Sequence, residues 1–138
     1  GAQGGLRRTL SPDALARRID DVLVEIGLAD LALRSASELA HGQKQWLEIG
    51  MVLASQPKVL MLDEPVAGLT DEETERTVAL VRKLRRPDRA IVVVEHDMDF
   101  VEQIADRVTV LHEGRTLFEG SMQDARADAR VVDVYLGR

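Results

Sequence analysis

Two adjacent carboxylates, Asp63 and Glu64, follow the apolar run Val59-Leu60-Met61-Leu62 and stand directly before Pro65. A second apolar run, Ile91 to Val94, leads in the same manner to Glu95-His96-Asp97. Upstream lies Leu39-Ala40-His41-Gly42-Gln43, in which a glycine opens a helix-periodic segment. Magnesium-nucleotide hydrolysis needs parts of these kinds: an Asp to hold the metal, a Glu to polarise the attacking water, and donors to the terminal phosphate. Asp63 suits the metal role, through water or a phosphate-site ligand, and Glu64 the base. His96 suits a donor to a phosphate oxygen. Gly42 permits close backbone approach, and a helix start favours an anion.

Plainer readings stand beside these. Asp63-Glu64 equally fits an acidic pair that ends a strand and begins a turn. His96 fits a polar residue at a strand end, and Gly42 an ordinary helix start. His41 and His112 have no comparable setting. With the histidines dispersed and no cysteine present, a zinc site is not expected. Trp46, Leu47 and Ile49 read as core, not as a nucleotide-stacking surface. Arg7-Arg8 and Arg85-Arg86 read as solvated charge. It is the order and spacing of the segments that favour chemistry.

Elements able to position these residues follow from pattern. Ser11-Pro12 predicts a helix start, with Leu15, Ile19, Val22 and Ile26 at helical spacing and Gly27 placed to end it. Residues 29–38 read as a connector. A second helix opens near Gly42 and runs to about Ser55, where Gln56-Pro57 breaks it. Val59–Leu62 and Ile91–Val94 have the wholly apolar character of strands buried on both faces of a parallel sheet. Between them Thr70 and Glu73 form a capping box, and Val78, Val81 and Leu84 share a helix face. Pro87-Asp88 turns the chain into the second strand. A helix from Met98 to Ala105 follows, then a hairpin, Val108–Leu111 with Thr116–Phe118, turned at Glu113-Gly114. Ser121 can cap a final helix, and Val131-Val132 with Val134-Tyr135-Leu136 offers an apolar patch. Alternating helices and strands predict an α/β fold.

Bulk properties narrow the function. The 138 residues carry a net charge of -6, with 45% hydrophobic and 30% charged residues. No basic face is evident, which argues against a nucleic-acid partner. The absence of cysteine excludes disulfides, thiolate metal sites and cysteine nucleophiles. The longest apolar runs are far too short to cross a bilayer. Gly1-Ala2-Gln3-Gly4-Gly5 is not a signal peptide, and residues 1–10 read as a flexible end, a tag scar or the cut end of a longer chain.

Taken together, these residues resemble the ATP-binding subunit of ABC transporters. Leu39, Ala40, His41, Gly42 and Gln43 look like the signature motif, Val59–Glu64 like Walker B, Ala67, Gly68, Leu69, Thr70 and Asp71 like the D-loop, and His96 like the switch histidine. The wording of His41–Gly50, Asp63–Gly68, Val94–Met98 and Tyr135-Leu136-Gly137 resembles the branched-chain amino acid and urea importer group, its urea importers most of all. The resemblance implies an incomplete P-loop NTPase fold of the ABC ATPase kind: residues 11–56 as part of the helical signature subdomain, and 57–138 as the Walker B and switch-histidine part of the core, ending in the hairpin and helix. It implies ATP and Mg2+ as cofactors, Asp63 as the metal residue, and Glu64 and His96 as catalytic. The signature residues would reach the nucleotide of a second ATP-binding subunit, and the D-loop would link the two sites. Permease subunits would hold the protein at the cytoplasmic face of the membrane.

The chain departs from the family at two places. Ala40 and His41 stand where the signature usually has Ser and Gly, and Ala40 has no hydroxyl for the phosphate. Losing one hydrogen bond to a charged group costs about 1.5–3 kcal/mol. In addition, no G-x-x-x-x-G-K-S/T phosphate loop occurs. The expectation is therefore a C-terminal portion of an importer ATPase that does not hydrolyse ATP alone. The alternative is a naturally truncated, non-catalytic interaction module. Strand Ile91–Val94 would lack one neighbour of the family sheet, which predicts self-association through it.

Overall fold

Ser11 and Pro12 begin the first helix as their chemistry dictates. The Ser11 hydroxyl accepts the Ala14 N–H at 3.3 Å, and proline occupies a first-turn position whose N–H has no intrahelical partner. The computed structural model describes residues 11–136; residues 1–10, including Arg7-Arg8, lie outside the described part. Helix α1 (Pro12–Glu25) ends at Gly27, whose φ of 73° places it in the left-handed region glycine enters without a Cβ clash. Two short 3-10 turns, Ala29–Leu31 and Ala36–Glu38, lead to α2 (His41–Leu53). Strand β1 (Val59–Asp63), α3 (Asp71–Leu84) and β2 (Ala90–Val94) follow, with β1 and β2 hydrogen-bonded as a two-stranded sheet. Then come α4 (Met98–Ile104), β3 (Val108–His112), β4 (Arg115–Gly120), α5 (Met122–Ala127) and α6 (Ala129–Val131), continued by a π-helical turn over Val132–Leu136.

The chain divides into two compact units, one running to Val93 and the other from Val94. The core of the first is built by Val22, Ile26 and Leu28, by Trp46, Ile49 and Leu53 of α2, by Leu60 and Leu62 of β1, and by Val78, Val81 and Leu84 of α3. Helix α1 meets α2 at Gly50, where an added Cβ would sit 2.6 Å from Ile26 Cδ1. Glycine is what lets these helices touch. Arg18 also donates to the Leu53 carbonyl at the end of α2, at 2.6 Å.

The second unit is the hairpin with its flanking helices. Glu113 (φ 48°) and Gly114 (φ 74°) form the two-residue turn between His112 and Arg115, both residues left-handed as a type I′ connection requires. The register shifts after Val110, so Val110 pairs Phe118 while Leu111 pairs Thr116. Asp97 caps α4 through the Asp99 and Phe100 amides, Ser121 caps α5, and the Tyr135 hydroxyl donates to the Leu111 carbonyl.

The helix predicted from Ser11-Pro12 forms, but the expectation of strands buried on both faces is corrected. The apolar stripe of α1 is only half used: Val22 and Ile26 are buried, whereas Leu15 and Ile19 are 49% and 48% exposed. Strands β1 and β2 are not covered on both faces either. Leu60 and Leu62 are buried, but Val59, Met61, Val92 and Val94 are exposed, Met61 to 71%. Strand side chains alternate between faces, and among the described residues the helices leave Val59, Met61, Val92 and Val94 uncovered.

Candidate functional site

Asp63 is the last residue of β1, so its carboxylate projects where buried strand gives way to an exposed turn. Glu64 follows with φ 46°, a left-handed backbone that a residue with a Cβ adopts at a cost of about 1–2 kcal/mol. The turn it enters is held by Ala67 N–H donating to the Glu64 carbonyl at 3.1 Å and Leu69 N–H to Val66 at 3.2 Å. Pro65 and Val66 are buried beneath it, and Gly68 (φ 72°) turns the chain toward α3. Strain at an exposed carboxylate, with the turn anchored below, is the pattern found where a side chain must be aimed.

The signature-like segment lies against this turn. His41 Nε2 is 3.3 Å from the Ala67 carbonyl, to which it donates, and an added Cβ on Gly68 would be 3.4 Å from the same nitrogen. Further along, Trp46 Nε1 donates to Thr77 Oγ1 at 2.9 Å, and that hydroxyl donates to the Glu73 carbonyl at 2.8 Å. Trp46 is thus buried core that docks α2 on α3. Leu39 is buried, while Ala40 and His41 are exposed.

Helix α2 starts without an N-cap side chain, because Ala40 has no oxygen to offer. Gln43 Oε1 accepts the Ala40 N–H at 3.0 Å, which satisfies the segment entering the helix but none of the amides inside it. The Gly42 N–H finds its acceptor elsewhere: Glu73 Oε1, at 3.3 Å. The other oxygen of Glu73 accepts the Thr70 N–H at 3.0 Å and the Thr70 hydroxyl at 3.2 Å. The Thr70 backbone donor holds the Glu73 carboxyl below its ordinary value, aided by the Thr70 hydroxyl and the Gly42 amide and opposed by desolvation. One carboxylate therefore serves two helix starts. An added Cβ on Gly42 would lie 2.7 Å from Glu73 Oε1. The close approach that Gly42 permits is made here by the chain's own anion.

His96 stands in the second unit, two residues beyond the end of β2. Its ring is exposed (74%), with Nδ1 3.5 Å from Glu95 Oε2, whereas the Glu95 side chain is almost wholly buried (1%). Glu95 also accepts the His96 and Asp97 amides at 2.8 and 3.2 Å, so it shapes the loop that presents the histidine. Three contributors went unassigned in the sequence: Glu73, seen only as an α3 capping residue, Thr77, and Glu95. For Glu95 a signal exists, a carboxylate immediately before a strand-end histidine. For Thr77 there is none.

Among the described residues, no group of three or more His, Cys, Asp and Glu side chains could by itself hold a metal ion. Asp63 alone nevertheless fits Mg2+, which is usually bound by one or two carboxylates completed by water and substrate phosphates. Among the described residues, no helix is long and apolar enough to cross a membrane.

Several known proteins are similar to this chain in sequence and fold. The ABC transporter family pattern matches residues 5–67. BraF of Pseudomonas aeruginosa, a high-affinity branched-chain amino acid transport ATP-binding protein, is 40% identical over 83% of this chain and 46% of its own length. LivG of Salmonella typhimurium, of the same description, is 41% identical over the same shares. The solved ADP conformation of MJ1267, an ATP-binding cassette of an ABC transporter, superposes with a TM-score of 0.84 at 26% identity, covering 96% of this chain and 54% of that one. The chain is similar in sequence and fold to the ATP-binding domains of ABC transporters. Its α/β fold is part of their P-loop NTPase fold, and it spans about half the length of the curated relatives it matches.

Proposed function

We propose that this chain provides the signature, Walker B, D-loop and switch-histidine parts of an importer's ATPase subunit, which couples ATP hydrolysis to solute uptake. The observation that carries the proposal is the junction of the signature segment with the turn after Asp63-Glu64, made by His41 on Ala67, and with the start of α3, made by Glu73 on Gly42. A signature helix start and a D-loop that must respond together are here joined by hydrogen bonds.

In this reading Asp63 holds Mg2+ together with water and nucleotide oxygens, and the bound ion would neutralise charge on the phosphates. Glu64 orients the attacking water and accepts its proton. His96, presented by Glu95, donates to the terminal phosphate. Leu39–Gln43 faces the nucleotide of a second ATP-binding subunit, and Ala67–Asp71 passes between the subunits. Permease subunits hold the assembly at the cytoplasmic face of the membrane. The solute is of the branched-chain amino acid or urea type; the likeness to BraF and LivG, both branched-chain amino acid transport ATP-binding proteins, supports the former.

Backbone amides of a phosphate loop carry much of triphosphate binding, and the sequence has no such loop, so we infer that the chain alone does not turn over ATP. Magnesium-dependent phosphate release by the purified chain tests this, with Glu64→Gln as control. Release that disappears in the Glu64→Gln variant refutes the inference of inactivity. In the full-length subunit the same substitution is expected to abolish release, and unchanged release there refutes the role of Glu64.

A further inference from the structure

We propose that Glu73 is an internal competitor for the terminal phosphate: its carboxylate occupies the Gly42 amide at the start of α2 and must yield it when nucleotide is bound by the signature segment. The proposal rests on the signature reading above and adds a residue to it.

The geometry is specific. A helix start leaves its first amides without intrahelical acceptors, and an N-cap side chain usually takes one at the second or third position. Ala40 cannot do so, and the second-position amide, that of Gly42, is taken from α3 by Glu73 Oε1 at 3.3 Å. A phosphate oxygen seeks the same donor for the same electrostatic reason. The two anions cannot share one N–H, and each raises the cost of placing the other beside it. Glu73 has somewhere to stay when displaced, because Oε2 remains on the Thr70 N–H and hydroxyl. Those Thr70 groups belong to the D-loop. Release of Gly42 would therefore break the link that runs through Glu73 from the signature start to Thr70 on the arrival of phosphate, while His41 keeps its separate bond to Ala67 of the D-loop.

The test uses the full-length subunit carrying Glu64→Gln, so that bound ATP persists, and follows ATP-dependent dimerisation by light scattering. Adding Glu73→Gln keeps a side chain able to complete the α3 capping box but removes the competing charge. Half-maximal dimerisation is expected at roughly threefold to tenfold lower ATP, the difference between a charge-assisted and a neutral hydrogen bond. Thr70→Ala, which weakens the α3 cap without discharging Glu73, is expected not to lower it. An unchanged or raised requirement in Glu73→Gln overturns the proposal, a raised one marking Glu73 as a support of the signature segment. If the Glu64→Gln parent shows no ATP-dependent dimer, the signature reading itself fails and the proposal with it. In the chain by itself, the Gly42 amide resonance is expected to titrate with Glu73 and to lose that inflection in Glu73→Gln. No inflection in the parent chain also overturns the proposal.

Discussion

Replacing Thr77 by Val tests how α2 is held on α3. The two side chains are nearly the same shape, but Val cannot accept the Trp46 Nε1–H, now 2.9 Å from Thr77 Oγ1. Thr77 is fully buried and Trp46 is 6% exposed, so water cannot readily replace the lost acceptor. An orphaned buried donor costs about 1–3 kcal/mol. The second bond of Thr77, to the Glu73 carbonyl, adds little, because that carbonyl lies within the α3 hydrogen-bond ladder. The expected loss is thus about 1–3 kcal/mol, a fall of roughly 3–10 °C in Tm for a protein of this size. Urea unfolding is the assay, and the single tryptophan reports on the first unit alone. Trp46→Phe and the double variant, followed by circular dichroism, complete a cycle in which the pair should couple by about 1 kcal/mol. A Thr77→Val loss below about 0.5 kcal/mol, within the range of ordinary surface substitutions, refutes the reasoning, as does zero coupling.

Other expectations follow from local features. The Asp128 carboxyl is lowered from 3.8 to about 2, chiefly by the hydrogen bond from the Arg130 side chain. A depressed carboxyl stabilises the fold above its unfolded value and loses that contribution as pH falls toward about 2, so Asp128→Asn is expected to flatten the decline in Tm between pH 4 and 2. Identical pH profiles for parent and variant count against the pair. Glu113→Asn, which tolerates the observed φ of 48° better, should stabilise the hairpin by roughly 1 kcal/mol, read as slower amide exchange in β3 and β4. The open apolar face of Val59, Met61, Val92 and Val94 predicts concentration-dependent self-association, suppressed by Met61→Lys; a monodisperse monomer in scattering at high concentration contradicts it.

Much of this molecule could be read from its residues because the relevant physics is local. Ser11 before Pro12, Thr70 three residues before Glu73, and Glu113-Gly114 between two apolar runs each satisfy or direct backbone groups within a few positions. Apolar periodicity placed α2, β1, α3 and β2, but not what covers them. Leu15 and Ile19 fit the helical stripe as well as Val22 does, yet only contact with another element decides which of them leaves water.

From its sequence by itself, the chain was determined to be α/β, to carry an acidic pair at a strand end, and to set a glycine-opened helix before it. Only the tertiary structure decided that His41 turns to the Ala67 carbonyl, that Trp46 docks on Thr77, and that Glu73 reaches across 31 positions to the Gly42 amide. A cap within one turn is dictated by neighbours in the chain. A bond between two helix starts depends on where packing sets both axes, and no spacing along the chain encodes that.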